Sequence, residues 1–291
     1  MKKTLSLLLI LAALTSCNKP ATEENWTKLL DKDLSQWDRY LSYAFTNDYN
    51  GEIPKDEAGN DIQPIGLNPE GYNVFTVISE DNEPVLKVSG EIYGCVVTKQ
   101  EYENFHFRLK LKWGDKKYPP REKLLKDSGI MYHSIGKLGT DYWRTWMLSQ
   151  EFQIMEGHMG DFWSQQTSAI DARAYMPEYI MNPVAGADQP FLALGTGEDI
   201  DGFCLRSNNY ENPPGEWNTL ELICFGDKSI HIVNGHVVMV LRNSRYIKNG
   251  ETLPLTKGKI QLQSEATEVY YKDIEIREID KLPAEYTNLY E

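Results

Sequence analysis

Phe105, Phe107, Leu109, Leu111 and Trp113 alternate with His106, Arg108, Lys110 and Lys112. This period of two puts every apolar side chain on one face of an extended strand; a helix would scatter them around its axis. A strand with one apolar face needs partners, and the chain supplies them. Val85 to Val88, Tyr93 to Thr98, Ser128 to His133, Gln150 to Met155, Ala169 to Tyr175, Trp217 to Phe225, Gly258 to Gln263 and Val269 to Ile276 read as further strands. Ser229 to Val233, Asn234-Gly235 and His236 to Leu241 form a hairpin, because Asn-Gly supplies the two left-handed positions of a type I′ turn. Past the N-terminal segment no stretch keeps a helical period. The fold class is therefore all-β, a β-sandwich, expected as a single domain over residues 26–291.

The first segment reads as an address. Met1-Lys2-Lys3 is basic, and Leu5 to Leu14 is an apolar run too short to span a bilayer but suited to a signal peptide. Leu14-Thr15-Ser16-Cys17 resembles a lipobox, so residues 1–16 are expected to be removed and Cys17 to carry lipid, with residues 17–25 as a polar tether. The protein is then expected outside the cytoplasm, held to an envelope membrane through Cys17. The chain of 291 residues carries a net charge of −13, which falls to about −15 once Lys2 and Lys3 are lost. That balance argues against nucleic-acid binding, which needs a basic surface to displace counterions. Cys95, Cys204 and Cys224 are an odd set that cannot all pair within one chain.

Candidate chemistry concentrates in Glu151-Phe152-Gln153-Ile154-Met155-Glu156-Gly157-His158-Met159-Gly160-Asp161-Phe162-Trp163. In a regular strand Glu151, Gln153 and Met155 share one face. A β-bulge at Ile154-Met155 would bring Glu156 back to that face, giving two carboxyls for acid and base roles. His158 and Asp161 follow in a Gly-flanked loop as further acid/base groups. In Asp127-Ser128-Gly129-Ile130-Met131-Tyr132-His133, Met131 and His133 share a face, so His133 is expected beside Glu151 if the two strands are neighbours. Gln263 and Glu265, with Gln153, suit hydroxyl recognition. Trp143, Arg144, Trp146 and Trp163 are candidates for ring stacking and oxygen contacts. Three irregular stretches, Ala44 to Tyr72, Lys116 to Asp127 and Pro177 to Asp201, are long enough to wall a cleft over one sheet.

Nucleophile-elbow, P-loop, zinc-protease and dinucleotide motifs are all lacking. No cofactor is expected. A divalent metal on His133, Glu151, Glu156, His158 or Asp161 stays open, although their spacing matches no standard site.

Asp127-Ser128-Gly129-Ile130-Met131-Tyr132-His133, Glu151-Phe152-Gln153-Ile154, Gly215-Glu216-Trp217-Asn218, Val233-Asn234-Gly235, Gly258 to Glu265 and Tyr271-Lys272-Asp273-Ile274, in that order, resemble the 3-keto-disaccharide hydrolase domain family. Leu29-Leu30-Asp31 and Leu34-Ser35-Gln36-Trp37 resemble its opening segment. The resemblance implies a concanavalin A-like jelly-roll whose concave sheet binds an oligosaccharide or glycoside, and cleavage of glycosides oxidised to a ketone at C3. Such a ketone acidifies the C2 proton, so a base can remove it and the C1 aglycone leaves by β-elimination. Glu151 and His133 are the expected acid/base pair, with Glu156, His158 or Asp161 as alternatives. Glu151-x-Gln153-x-x-Glu156 also resembles the E-x-D-x-x-E strand of family 16 retaining endoglycanases, with Gln153 in place of the Asp. A non-catalytic glycan-binding lipoprotein is the third reading, since the same fold hosts lectins.

Overall fold

The computed structural model describes residues 25–140 and 144–291. The signal segment, Cys17 and Trp143 lie outside the described residues. The chain folds into two antiparallel sheets packed face to face as a jelly-roll sandwich. The larger sheet runs in the order Val184–Ala185, Ser168–Tyr175, His236–Lys248, Lys228–Val233, Asn218–Phe225, Phe105–Lys117, Thr267–Glu278, Glu83–Val88 and Phe75–Glu80. The smaller runs Phe203–Cys204, Phe162–Ser164, Leu148–Met155, Asp127–Ile135, Lys259–Ser264, Gly94–Thr98, Trp37–Leu41 and Gly66–Leu67.

The core lies between the sheets and follows the alternation in the sequence. Phe107, Leu109 and Leu111 of the larger sheet meet Ile130, Phe152, Ile154 and Leu262 of the smaller, all buried. Each such side chain contributes roughly 1.5–3 kcal/mol by leaving water. The hairpin turns at Asn234 (φ 49°) and Gly235 (φ 80°), the two positive values a type I′ turn requires. The Asn234 carboxamide also accepts from the Thr219 amide at 2.8 Å and donates to the Tyr210 carbonyl at 2.7 Å, which fixes the turn to its surroundings. Cys95, Cys204 and Cys224 are buried free thiols.

A second apolar cluster covers part of the outer face of the smaller sheet. Tyr93, Cys95, Val97 and Met131 of that face pack with Trp146 and with Tyr43 and Phe45 from the stretch that precedes the Ala44–Tyr72 loop and opens it. Phe45 meets the Tyr93 ring edge-on at 4.8 Å. This loop therefore walls one side of the face, and Lys116–Asp127 contributes Arg121 to it. The third expected wall does not form. Residues 177–201 contain the strands Val184–Ala185 and Phe191–Gly195, and both pair with Ser168–Tyr175 at the edge of the larger sheet.

Strand Asp127–Ile135 departs from regular pleating where it matters most. Its register with Leu148–Met155 shifts between Tyr132 and Ile135, and His133 takes a left-handed backbone (φ 51°). A bulge of this kind turns the following side chain to the opposite face. His133 is accordingly buried against Tyr132 and Phe105, with ring centres 5.3 and 5.9 Å away, instead of standing beside Glu151. Burial pushes its pKa down to about 4, so the ring is neutral at physiological pH.

Candidate active site

The half of the outer face left open by the Tyr93–Trp146 cluster holds a cavity of about 640 Å³. Its floor follows from strand register. On Leu148–Met155 the alternation sends Phe152 and Ile154 into the core and Glu151 and Gln153 outward. Across the next strand Met131 lies opposite Glu151, Gly129 opposite Gln153 and Asp127 opposite Met155. On the other side Trp163 lies opposite Glu151. Paired residues share a face, so Trp163, Glu151 and Met131 form one row. Trp163 is 41% exposed and packs on Phe203 at 4.4 Å, leaving ring surface for a sugar to stack on.

Polar groups are tied into one cluster. Gln165 donates to Glu151 at 2.5 Å, and Gln153 donates to Asp127 at 2.9 Å. Arg121 forms an ion pair with Asp127 at 2.5 Å and lies 3.6 Å from Glu265. Asp127 and Glu151 are each 2% exposed and Glu265 is 7% exposed, yet all three line the cavity. Two buried carboxyls, Asp127 and Glu265, thus share one guanidinium, with Glu151 in the same cavity. Burial, followed by the charge of Glu265, pushes the Asp127 pKa well above the usual carboxylate range, against the pull of Arg121. Burial raises Glu265 as well, and Arg121 again opposes it. Two carboxylates against one guanidinium leave an excess negative charge in so dry a place, so this pair keeps a proton to higher pH than exposed carboxylates do.

Glu151, Gln153, Trp163, Gln263 and Glu265 line the cavity, as does Trp146. Other expected members sit elsewhere. The register from Asp127–Met155 to Tyr132–Gln150 is unbroken, so the bulge expected at Ile154-Met155 does not exist. Glu156 instead lies in the turn beyond the strand, its amide donating to the Lys126 carbonyl at 2.9 Å and its carboxylate 3.9 Å from the Lys126 ammonium. Asp161 is buried under Arg206, accepting from its backbone amide at 2.8 Å and its guanidinium at 3.0 Å, with His158 3.3 Å away. These contacts clasp the 156–161 turn to the segment around Arg206, and neither His158 nor Asp161 lines the cavity. Arg144 has a left-handed backbone (φ 56°) and also lies off the cavity lining, where its charge acts on Tyr43.

Sequence reasoning missed Asp127, Arg121, Gln165 and Gly129. Asp127 had a signal: alternation from Met131 through Gly129 puts it on the Glu151 face. Among the described residues no group of three or more His, Cys, Asp or Glu side chains is arranged to hold a metal ion. Of the five residues considered as metal ligands only Glu151 lines the cavity, while His158 and Asp161 contact each other outside it, and Arg121 is the cation beside Asp127 and Glu265.

The larger picture comes from comparison with known proteins. No curated protein matches the chain. Among solved structures, a protein of Parabacteroides distasonis provisionally named a glycosyl hydrolase aligns at 20% identity, over 88% of this chain and 100% of its own, with a TM-score of 0.45. A second such protein of that organism aligns at 17% identity over 88% and 94%, again with a TM-score of 0.45. Domain 4 of the extracellular arabinanase AbnA from Geobacillus stearothermophilus, solved with arabinotriose, aligns at 12% identity over 88% and 100%, with a TM-score of 0.39. Residues 1–18, spanning Cys17, match the prokaryotic membrane lipoprotein lipid attachment site, which makes the mature chain a lipid-anchored envelope protein. Residues 25–277, nearly the whole of the described domain, match a glycoside-acting family, and the chain belongs to it: the 3-keto-alpha-glucoside-1,2-lyase-like domain family.

Proposed function

We propose that this domain cleaves 3-keto-glycosides by elimination, with the oxidised sugar stacked on Trp163 above Glu151. The observation that carries this reading is the pair Asp127 and Glu265 around Arg121 in one cavity with Glu151. Elimination needs a base and an acid at the same time, and a carboxyl cluster that retains a proton supplies both. Glu151 takes the proton from C2. The electron pair of that C–H bond enters an enolate whose oxygen, at C3, is stabilised by the Arg121 guanidinium. The C1–oxygen bond then breaks, and the aglycone oxygen takes the proton held between Asp127 and Glu265. The products are the free aglycone and a sugar unsaturated between C1 and C2. Addition of water across that double bond makes the net outcome a hydrolysis. Gln153 and Gln263 hold hydroxyls. A retaining endoglycanase pairing Glu151 with Glu156 lacks its second carboxylate in the cavity.

The experiment is a matched incubation of the protein with glucosides and their 3-keto counterparts, with and without chelator, following release of aglycone. Release from the keto forms alone, abolished in Glu151→Gln with an unchanged melting temperature, is the expected result. Release from the parent glycosides, or full turnover by Glu151→Gln, overturns the reading. Glycan binding without release from either set makes the domain a binding protein. Loss of release with chelator gives the reaction a metal requirement.

A further inference from the structure

The outer face of the larger sheet differs from the rest of this acidic chain. Along Phe105–Lys117 the residues that alternate with the core, Arg108, Lys110 and Lys112, point outward. Two tryptophans lie among them. Arg108 and Arg277 stand over the Trp26 ring, 3.8 and 4.7 Å from its centre. Lys112 and Lys272 stand over Trp217 at 4.5 and 4.2 Å. Carboxylates are present too: Glu275 pairs with Arg108 at 2.6 Å, Asp273 with Lys110 at 2.9 Å and Glu80 with Lys112 at 3.2 Å, while Glu221 contacts His106. With Lys28, Glu83 beside it and the Lys87–Glu268 pair included, the face has seven cations to six carboxylates, a local excess of one positive charge in a chain of net charge −13.

The way the chain reaches this face gives the patch a meaning. Thr27–Lys28 pairs with the Thr267–Glu278 strand at Ile276 and Glu275, so the domain begins on this sheet with Trp26. Only nine residue steps separate Trp26 from Cys17, within the lipid attachment site, a span of at most about 32 Å when fully extended. The anchor therefore keeps Trp26, and this face with it, within about 32 Å of the lipid-bearing residue. The cavity opens on the outer face of the other sheet.

We propose that the Trp26–Trp217 face docks on an anionic phospholipid surface. The indoles lie at headgroup level, where amphipathic rings are favoured, and the surrounding Arg and Lys side chains meet lipid phosphates. Docking in this sense turns the cavity away from the membrane. The patch is independent of the reaction assigned to the cavity.

The test uses the chain from residue 18 onward, without lipid, sedimented with vesicles of phosphatidylcholine alone or mixed with phosphatidylglycerol, at low and physiological salt. The expected result is binding to the mixed vesicles only, weakened by salt. Binding falls by roughly tenfold or more in Lys110→Glu/Lys272→Glu. It is retained in Lys137→Glu/Lys248→Glu, which makes the same charge change away from this face. Equal binding to both vesicle types, no binding at low salt, or an equal loss in the control variant overturns the proposal. Melting curves of both variants establish that each is folded.

Discussion

The Glu151 carboxylate occupies the space that a side chain on Gly129 would need, and the Gln263 carboxamide shares that space. Gly129 does not adopt a left-handed backbone, so alanine fits its conformation. The atoms nearest to that Cβ are the ends of two long side chains, which can move aside. Gly129→Ala is therefore expected to displace Glu151 and Gln263 while sparing the fold. Turnover of a 3-keto-glycoside should fall by about a hundredfold, the scale of a one-ångström misplacement, and stability should change by no more than about 1 kcal/mol. Parallel measurements of kcat and of the melting temperature check this.

Asp127 and Glu265 give the protein a pH signature. Their carboxyl pKa values are raised in the folded state, so the folded protein binds more protons than the unfolded chain above the usual carboxylate range. Stability from these groups is full below the unfolded pKa, near 4, and is lost as pH rises through the folded value. Asp127→Asn should flatten that decline. Urea midpoints for both proteins from pH 4.5 to 8 would show it. The same variant should lose turnover, because its amide cannot pass a proton to the leaving oxygen.

His133 gives the opposite slope. Its pKa is lowered to about 4 by burial, so the unfolded chain binds the extra proton between about pH 6.5 and pH 4. Stability is full above the unfolded value and falls as pH drops through this window, by about 3 kcal/mol in all. His133→Asn, which tolerates the left-handed backbone, should remove most of that acid sensitivity and leave turnover within about threefold of the parent. A large loss of kcat with an unchanged urea midpoint would return His133 to the reaction.

Arg121 is the counter-charge of the cluster. Arg121→Met should leave Asp127 and Glu265 buried without a cation, at a cost of about 3 kcal/mol when both are ionised. The loss should shrink at pH 5, where protonation relieves it. Chemical denaturation at pH 5 and pH 8 distinguishes this from a simple packing defect, which would cost the same at both.

Most of the fold was legible because its strands obey a period of two and its key turn is written as Asn234-Gly235. Glu151, Gln153, Gln263 and Glu265 were legible for the same reason: alternation assigns a face. Trp163 was legible by residue type alone. Alternation failed at His133 and Glu156. The first sits at a bulge that the local composition does not announce, and the second was assigned a bulge that the register lacks. Arg121 was hidden differently. It belongs to an irregular stretch, and only tertiary folding brings a loop cation over a strand carboxylate. The clasp of His158, Asp161 and Arg206 shows that acidic and imidazole groups close in sequence can serve a turn as readily as a reaction.

The Tyr93–Trp146 cluster borders the cavity on one side. Trp146 belongs both to that cluster and to the cavity lining, so the packed aromatics and the polar site share one wall. In the other direction, past Gln166 and Thr167, it adjoins a further hollow of about 370 Å³ bordered by Ile135, Tyr246 and Lys248. The two hollows meet at Gln166 and Thr167, which line both, so a substitution at either residue acts on both spaces at once.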